Sequence, residues 1–398
     1  MKFAEHKIAP RDRKPVVLTT VPFYLPGFKG GGKLVTVRNL VAGLRDRFWF
    51  KVMTADRDLG DARRYPGIDA NRWTASGETE VFYAGARTDS LRAIRRQLCE
   101  SDYDLLHLNS IFSPRFGIAP LMLRRFGSLG RKPTIIAPRG ELAPGALSIK
   151  SPRKRVFLAM ARKFGWLDGV TWQASTENEA DDIRHAFGTN AAIAVAPDLL
   201  NPEYRSWPSS RYRKQPARLD VIFLSRIAPV KNLHLAIELL RGLCGNINFH
   251  IAGPIDDSAY WGRCTKSLAT LDGNIRSEYL GPLAPSQVAE CLGRHGLLLL
   301  PSAGESFGFA ILEAMLAGCP VLVSDRTPWR DLNRHGIGWD LPLRRPELMR
   351  AALQEIVAME GAAHRQMSHR ARDFALQYLA GDDSVDRNLT MFHAAMDS

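Results

Sequence analysis

The stretch PSAGESFGFAILEAMLAGCPVLVSD, residues 301–325, begins at the end of one apolar run and finishes with another. These runs, GLLLLPS (296–302) and CPVLVSD (319–325), are short and apolar, which is typical of buried parallel strands. Between them, the pattern indicates a glycine-containing turn followed by a helix over 309–317. The stretch therefore predicts a strand–turn–helix–strand unit of a parallel α/β sheet.

Two carboxylates bracket this turn. Glu305 lies in the loop and Glu313 lies one turn into the helix, with Phe307 and Gly308 between them. A single acid near a helix start is ordinary, because it complements the helix dipole. Two acids around a glycine turn favour a ligand that carries both hydroxyl groups and an anion. The backbone N–H groups near Phe307 and Gly308 can hold the anion, and each carboxylate can accept hydrogen bonds from hydroxyls.

Short apolar runs alternate with helical patterns in both halves of the chain. Further strands are predicted at VVLTTV (16–21), DLLHLN (104–109), TIIAPR (134–139), LDVIFLSR (219–226) and INFHIAG (247–253). Further helices are predicted at 34–47, 91–100 and 232–243. This alternation occurs twice and predicts two doubly wound α/β domains, whose ligands bind at the carboxyl ends of the strands.

The domain boundaries follow from composition. Residues 201–220 contain three prolines and lack periodicity, which is typical of a linker. We therefore expect a first domain over 1–200, a second over 221–375 and a helical tail over 376–398.

Composition narrows the classes of protein. The chain has 398 residues, of which 45% are hydrophobic and 24% charged, as expected of a soluble globular protein with two domains. Its five cysteines form no C-x-x-C pair, which argues against a disulfide framework or zinc site and favours a cytoplasmic location. The N-terminal residues have no apolar core, so we expect no secretory signal.

Charge is distributed unevenly. Residues 1–200 carry 32 Lys and Arg against 20 Asp and Glu, whereas residues 201–398 carry 22 against 21. The basic first half suggests an anionic partner, either nucleic acid or a membrane surface.

A second motif carries two cations. FLSRIAPVKN (223–232) ends a strand with Arg226 and places Lys231 just before a helix. An arginine fork and an ammonium group at such a junction suit a diphosphate. Alone, this pair is better interpreted as a basic surface loop. Combined with Glu305 and Glu313, it favours a diphosphate ligand over a basic surface loop.

These motifs resemble those of retaining glycosyltransferases of family 4, which have the GT-B fold of two facing Rossmann-like domains. The resemblance covers nearly the whole chain. It rests on LSRIAPVKN (224–232), LGPL (280–283), residues 301–325, FKGGGKLVTVRNL (28–40), DLLHLNSIFSP (104–114) and APRGELAPGALSIKSPRKRVFL (137–158).

The resemblance implies roles for individual residues. Glu305 would contact the donor sugar and Glu313 its ribose, while Arg226 and Lys231 would hold the diphosphate. The donor site would also include Phe307 and Gly308. Gly31 and Gly32 would lie beside the diphosphate, although a GGG sequence alone is more often a flexible turn.

The resemblance also implies a reaction that needs neither metal nor cofactor, with the nucleotide sugar as substrate. The acceptor hydroxyl would attack from the front face, and the leaving phosphate would take its proton. Arg226 and Lys231 would stabilise the charge that builds on the diphosphate.

Two positions depart from the family pattern. Many relatives have H-x-H after the strand DLLHLN, whereas this chain has His107 and then Asn109, which cannot act as a general base. We expect His107 to be structural and Asn109 to contact a sugar hydroxyl. Arg139 stands where relatives commonly have histidine, and it would either bind an acidic sugar or acceptor phosphate or pair with Glu141.

Two tripeptides, DRD (56–58) and DYD (102–104), match the Asp-x-Asp metal motif of the other glycosyltransferase fold. A hard cation needs several converging oxygen ligands, and such tripeptides are frequent by chance. We therefore interpret them as loop or cap residues and expect no metal.

The resulting hypothesis is a cytoplasmic glycosyltransferase of the hexosyltransferase type that acts on a glycan or lipid-linked acceptor. TPWRDL (327–332) and the 137–150 run most resemble members of bacterial exopolysaccharide or lipopolysaccharide assembly. A GT-B-fold sugar-nucleotide epimerase is one alternative. A nucleic-acid binder is another, but the aromatic-basic interleaving of stacking modules is missing, so we expect no nucleic-acid partner.

The segment 150–167, KSPRKRVFLAMARKFGWL, combines basic and aromatic residues without an acid. By itself it fits a core helix with a solvated end as well as a helix on an anionic lipid surface. The basic first half favours the membrane, and we expect peripheral contact of this domain with the inner leaflet.

Overall fold

The computed structural model describes residues 13–77, 79–85, 89–130, 132–148 and 151–397. Within them the chain forms two α/β domains, each built around a sheet that is parallel or nearly so. The prediction of two doubly wound domains is confirmed.

The first sheet has eight strands in the described residues, in the order β3-β4-β2-β1-β5-β6-β7-β8. Its strands are β1 (Val16–Thr20), β2 (Trp49–Ala55), β3 (Trp73–Ser76), β4 (Thr79–Ala84), β5 (Leu105–Leu108), β6 (Thr134–Ile136), β7 (Thr171–Ala174) and β8 (Ile193–Val195). Neighbouring strands are parallel, but the edge strand β3 runs antiparallel to β4. The helices are α1 (Gly32–Leu44), α2 (Asp89–Glu100), α3 (Ala119–Arg125), α4 (Pro144–Ser148), α5 (Ser151–Lys163) and α6 (Glu177–Phe187).

The second sheet has the order β11-β10-β9-β12-β13-β14. Its strands are β9 (Arg218–Leu224), β10 (Asn246–Ala252), β11 (Ile275–Gly281), β12 (Leu297–Leu300), β13 (Val321–Ser324) and β14 (Gly338–Leu341). The helices are α7 (Leu233–Leu240), α8 (Ser258–Leu268), α9 (Pro285–Gly293), α10 (Phe309–Leu316), α11 (Pro346–Ala358), α12 (Gly361–Ala380) and α13 (Ser384–Met396). The predicted strand–turn–helix–strand unit is β12, α10 and β13.

The central strands are buried along their whole length. Every residue of β1 and of β12 is buried, as in a parallel sheet covered by helices on both faces. This explains why these strands read as continuous apolar runs in the sequence. The arrangement brings the carboxyl ends of both sheets to a common cleft.

The predicted linker is shorter than expected and is held in place. A 3-10 helix occupies Pro202–Ser206, and β9 already begins at Arg218. Leu199 still belongs to the first domain, since its carbonyl accepts a hydrogen bond from Asn39 Nδ2 at 2.9 Å. Tyr204 packs in the core of the second domain, so the chain crosses between the domains within a few residues.

The chain crosses a second time after α12. Helix α12 packs against α10 in the second domain, but α13 returns to the first. There Phe392 is fully buried, and its ring centroid lies 5.3 Å from that of Phe48. Asn388 Nδ2 donates to the Pro197 carbonyl at 2.8 Å. The tail is therefore helical, but α13 completes the core of the first domain.

The basic segment 150–167 is mostly helix α5. Leu158, Ala161 and Trp166 are buried, so one side of the helix belongs to the core. Lys150 lies outside the described residues. In the part of the chain that is described, no helix is long and apolar enough to cross a lipid bilayer.

Candidate functional site

A cavity of about 610 Å³ separates the carboxyl ends of the two sheets and is lined by both domains. The structure brings together here most of the residues predicted for the site. Those that line it are Gly31, Gly32, Arg139, Arg226, Lys231, Glu305, Phe307, Gly308 and Glu313.

Lys231 and Glu305 form an ion pair in this cavity. The Lys231 ammonium lies 2.7 and 2.6 Å from the two Glu305 oxygens, and both side chains are largely buried. The local fold explains the pairing, because the Val230 carbonyl accepts a hydrogen bond from Ala303 N at 2.7 Å. That bond ties the loop after β9 to the loop after β12, and so two motifs distant in sequence share one site.

Arg226 spans the cleft. Its guanidinium donates to Asp256 Oδ2 at 2.5 Å within the second domain. The same side chain approaches Gly31 so closely that a Cβ atom on Gly31 would lie 2.9 Å from Arg226 Nε. Gly31 has a φ of +69°, a conformation that favours glycine. The glycine at position 31 therefore leaves room for the Arg226 side chain to cross the cleft.

The N-terminus of α10 opens into the cavity. Gly308 precedes the helix with a φ of +82°, which an L side chain rarely adopts. The Phe307 carbonyl accepts a hydrogen bond from Trp329 Nε1 at 2.7 Å, which fixes the turn. Since the first N–H groups of a helix have no partner within it, this end can bind an anion.

Glu313 faces the cavity from the second turn of α10. Tyr204 donates its hydroxyl hydrogen bond to Glu313 Oε1 at 2.7 Å. Burial raises the pKa of Glu313, while the bond from Tyr204 and the charge of Arg38 act in the opposite direction. Burial and the neighbouring Glu313 raise the pKa of Tyr204 as well, so the phenol remains a neutral donor.

The wall of the first domain contains a second ion pair, between Lys33 and Glu141. Glu141 also accepts hydrogen bonds from Ser110 Oγ at 2.7 Å and from Ile111 N at 2.7 Å. Burial alone would raise the pKa of Glu141, but Lys33 and these donors outweigh it and lower the pKa. Glu141 is therefore a carboxylate that holds Lys33 at the cleft.

The expected pairing of Arg139 with Glu141 is wrong, because the structure pairs Arg139 with Asp198. The remaining guanidinium N–H groups donate to Asn109 Oδ1 at 3.1 and 3.0 Å, to Gln173 at 3.0 Å and to Ser175 at 3.3 Å. Its side chain is only 2% exposed. The alternative expectation, a contact with an acidic sugar or acceptor phosphate, finds no support here, since these bonds satisfy the guanidinium.

Asn109 lies behind Arg139 and is completely buried. Its Nδ2 donates to Thr19 Oγ1 at 2.9 Å, so the amide joins the strand ends of the first sheet and is not placed to meet a sugar. His107 is buried beside it, and its Nε2 lies 3.1 Å from Gln173 Oε1. Burial and the charge of Arg139 lower the pKa of His107 to about 3, so it is a neutral structural residue.

The two Asp-x-Asp tripeptides have other partners. Asp58 accepts hydrogen bonds from Phe28 N at 2.7 Å and Lys29 N at 3.0 Å, which holds the glycine loop. Asp56 pairs with Arg57.

In the second tripeptide, Asp104 accepts a hydrogen bond from Val16 N at 2.7 Å, and Asp102 pairs with Arg13. Among the described residues, no cluster of three or more His, Cys, Asp or Glu could hold a metal ion.

Sequence reasoning missed several residues of the cleft. Lys33, Lys154 and Asp198 line it, and Tyr204 orients Glu313 from behind. Asp198 follows β8 by three residues, so its place after a strand was a usable signal. Lys33 directly follows the glycine loop, which was another. Tyr204 lies in an aperiodic segment and carries no comparable signal.

Comparison with known proteins points to one family for the second domain. Residues 209–374 match the family described as glycosyl transferases group 1. A D-inositol 3-phosphate glycosyltransferase of Rhodococcus opacus is 28% identical over 165 residues, which are 38% of this chain and 37% of the relative. A phosphatidyl-myo-inositol mannosyltransferase of Mycobacterium leprae is 26% identical over 257 residues, or 61% of each chain. The chain thus spans between about a third and two thirds of the length of these curated relatives.

Solved structures resemble the whole chain. Sucrose-phosphate synthase from Thermosynechococcus elongatus has a TM-score of 0.72 at 16% identity, covering 96% of this chain and 98% of the other. HepE from Anabaena in complex with UDP-glucose has a TM-score of 0.67 at 18% identity, with 96% and 100% covered. WaaG, a glycosyltransferase involved in lipopolysaccharide biosynthesis, has a TM-score of 0.68 at 15% identity, with 95% and 98% covered. The chain therefore has the GT-B fold, and its second domain is similar to the glycosyl transferases group 1 family over residues 209–374.

Proposed function

We propose that this protein is a retaining, metal-independent glycosyltransferase of family 4. It transfers a hexose from a nucleoside diphosphate sugar to a glycan or lipid-linked acceptor. The observation that carries the proposal is the cleft itself, which places Arg226, Lys231, Glu305 and Glu313 around one cavity at the α10 N-terminus.

In this proposal, each residue of the site binds a different part of the nucleotide sugar. Glu313 has one oxygen held by Tyr204 and lines the cavity, so its second oxygen can accept a hydrogen bond from a ribose hydroxyl. The N-terminus of α10, Arg226 and Lys231 supply donors for the diphosphate. Glu305, paired with Lys231, accepts from a sugar hydroxyl. Lys231 carries three N–H donors, so it can bind a phosphate oxygen while keeping Glu305 oriented.

In the proposed reaction, the bond between the anomeric carbon and the diphosphate oxygen breaks, and the acceptor oxygen bonds to that carbon on the same face. The acceptor proton passes to the departing phosphate oxygen. Negative charge grows on the diphosphate as it leaves, and Arg226 and Lys231 are placed to stabilise it. Each lowers the activation free energy by on the order of 3 kcal/mol if it acts like a single oxyanion donor.

The relatives support a role in cell-surface polysaccharide or glycolipid assembly. The curated relatives include a D-inositol 3-phosphate glycosyltransferase and a phosphatidyl-myo-inositol mannosyltransferase. WaaG takes part in lipopolysaccharide biosynthesis, and HepE binds UDP-glucose. We infer an acceptor that is anionic or lipid-linked, which also suits the cationic side chains of the first-domain wall, Lys29, Lys33 and Lys154.

Thermal-shift measurements of the full chain against UDP-, GDP-, ADP- and dTDP-sugars test the donor assignment. We expect one nucleotide sugar, and its nucleoside diphosphate, to raise the melting temperature. The Glu313→Ala variant should lose this shift, whereas Tyr212→Phe, a change in a buried tyrosine outside the cleft, should keep it. Absence of any shift across the panel would contradict the proposal. Conversion of the donor sugar without an acceptor would indicate an epimerase instead.

A further inference from the structure

Two helices of the first domain present large apolar side chains to solvent. They lie on α3, on α5 and on the residues that directly follow each helix. These side chains are Met122, Phe126, Val156, Met160 and Phe164, which are 37%, 70%, 59%, 42% and 47% exposed. Scattered single exposures are common on soluble proteins, but a cluster marks an interaction surface.

Hydrogen bonds bring the ends of the two helices together. Arg125 Nε donates to the Phe164 carbonyl at 2.6 Å, and Arg124 donates to the Asp168 and Gly169 carbonyls at 2.7 and 2.8 Å. The last residues of α3 therefore lie against the turn that follows α5. Phe126 and Phe164 therefore lie on neighbouring segments of the surface.

Along α5 the apolar side chains share one face. Val156, Met160 and Phe164 follow one another at intervals of four residues, which places them on the same side of a helix. Val156 and Met160 also line a shallow groove of about 400 Å³. The helix buries other positions, such as Leu158 and Ala161, in the domain core.

Lys154 separates this surface from the cleft. It donates to the Ala146 carbonyl at 2.5 Å and lines the cavity between the domains. Lys154 therefore does not belong with the exposed cations of the same helix. Its position shows that α5 borders the first-domain wall on one side and solvent on the other.

The exposed apolar residues are accompanied by unpaired positive charge. Arg153, Arg155 and Lys163 are exposed, and within the described part of the chain none has a carboxylate at ion-pair distance. Positive charge beside exposed apolar side chains complements an anionic lipid surface, where the apolar groups enter the headgroup region. We define the α3–α5 face as the five apolar residues above together with Arg153, Arg155 and Lys163.

We propose that the α3–α5 face docks this protein reversibly on an anionic lipid bilayer. The apolar side chains enter the boundary between headgroups and acyl chains, and the three cations contact lipid phosphates. Because α5 also borders the cleft, docking places the first-domain wall beside the membrane. The proposal goes beyond the transfer reaction and requires none of the residues assigned to the donor.

Sedimentation of the full chain with vesicles tests the charged part of the face. We expect binding to phosphatidylcholine vesicles that contain phosphatidylglycerol, little binding to pure phosphatidylcholine, and release by high salt. The variant Arg153→Gln/Arg155→Gln/Lys163→Gln should lower the partition coefficient roughly a hundredfold, at about fivefold per charge. The control Lys266→Gln/Arg276→Gln/Arg334→Gln removes the same charge from exposed positions of the second domain and should bind as the wild type does.

A second variant tests the apolar part. Phe126→Ser/Met160→Gln should lower binding to anionic vesicles, since less apolar area is inserted. The residual binding should be more sensitive to salt than that of the wild type. Both side chains are substantially exposed, so the fold and its melting temperature should be retained.

Three results would overturn the proposal. One is equal loss of binding by the Arg153→Gln/Arg155→Gln/Lys163→Gln variant, called the α3–α5 variant, and by its control. Equal loss would mean that binding depends only on net charge. Another is wild-type binding to neither vesicle, or to both alike. The third is tight binding of duplex DNA that the α3–α5 variant loses while vesicles remain unbound. Thermal shift by nucleotide sugars separates these results from failure of the donor site, because the variants should keep it.

Discussion

The Tyr204 hydroxyl donates a 2.7 Å hydrogen bond to Glu313, although the two residues are 109 positions apart. Tyr204 lies at the crossing between the domains and is 1% exposed, whereas Glu313 faces the cleft. The bond fixes one carboxylate oxygen, and the other can accept a hydrogen bond from the proposed donor. Tyr204 is therefore a positioning residue for the proposed ribose contact.

Replacing Tyr204 by Phe should weaken donor binding with little effect on kcat. Loss of a hydrogen bond to a charged group costs about 1.5–3 kcal/mol. Calorimetric titration with the preferred nucleotide sugar measures the change. Tyr212→Phe is the matched control, since Tyr212 is a buried tyrosine whose hydroxyl accepts from Asp220 N outside the cleft. Equal affinities for wild type and Tyr204→Phe would remove the positioning role.

Donor affinity should depend on the ionisation of Glu313. Burial raises its pKa, so the carboxylate takes up a proton at a higher pH than an exposed glutamate does. Donor affinity should therefore be maximal above this raised pKa and should fall as the pH drops through it. Glu313→Gln should bind more weakly at neutral pH and lack this acid limb. Tyr204→Phe should shift the limb to higher pH, because the bond it loses lowers the pKa.

The glycine loop offers a pair of matched substitutions. Gly31→Ala should destabilise the ligand-free protein, because Gly31 has a positive φ and its Cβ would meet Arg226 Nε at 2.9 Å. The cost should be about 1 kcal/mol or more. Gly32→Ala adds a Cβ with no heavy atom within 4 Å, at the first position of α1, and should be neutral or slightly stabilising. Thermal unfolding of both variants checks the contrast.

Activity should persist in EDTA. The Asp58 carboxylate already accepts hydrogen bonds from Phe28 N, Lys29 N and Leu59 N, and Asp56 pairs with Arg57. In the proposed reaction, Arg226 and Lys231 supply the positive charge for the diphosphate instead. Release of the nucleoside diphosphate, followed with and without chelator, tests this. Loss of turnover that manganese or magnesium restores would return the DRD tripeptide to consideration.

The buried pair Arg139–Asp198 should matter for folding. Arg139→Ala leaves Asp198 buried without its partner, which should cost about 3–5 kcal/mol of unfolding free energy. The double variant Arg139→Met/Asp198→Leu removes both charges of the pair and should recover much of the loss. Denaturant unfolding of the single and double variants distinguishes this structural role from a contact with the acceptor. A stable Arg139→Ala protein with impaired turnover would favour the contact.

The features that could be predicted from the sequence are those set by residues close together in the chain. The apolar runs, the glycine turns and the spacing of Glu305 and Glu313 predict strands, helix starts and the carboxyl ends where the cleft lies. The partners of the site residues depend on tertiary packing instead. Arg139 and Asp198 are 59 positions apart, and the neighbouring acid in sequence, Glu141, faces Lys33. Which side chains of the segment 150–167 face the core, the cleft or solvent is likewise set by packing against α3 and the domain core.

The two short crossings restrict how the domains can move. One lies between Leu199 and Tyr204 and the other between α12 and α13. Two bodies joined at two points keep one easy rotation, about the line through both points. We therefore expect any opening and closing to follow a single arc, on which the Arg226 side chain meets the Gly31 loop in one alignment. We expect the return of α13 to the first domain to act as a second hinge point and to restrict twisting of one domain against the other.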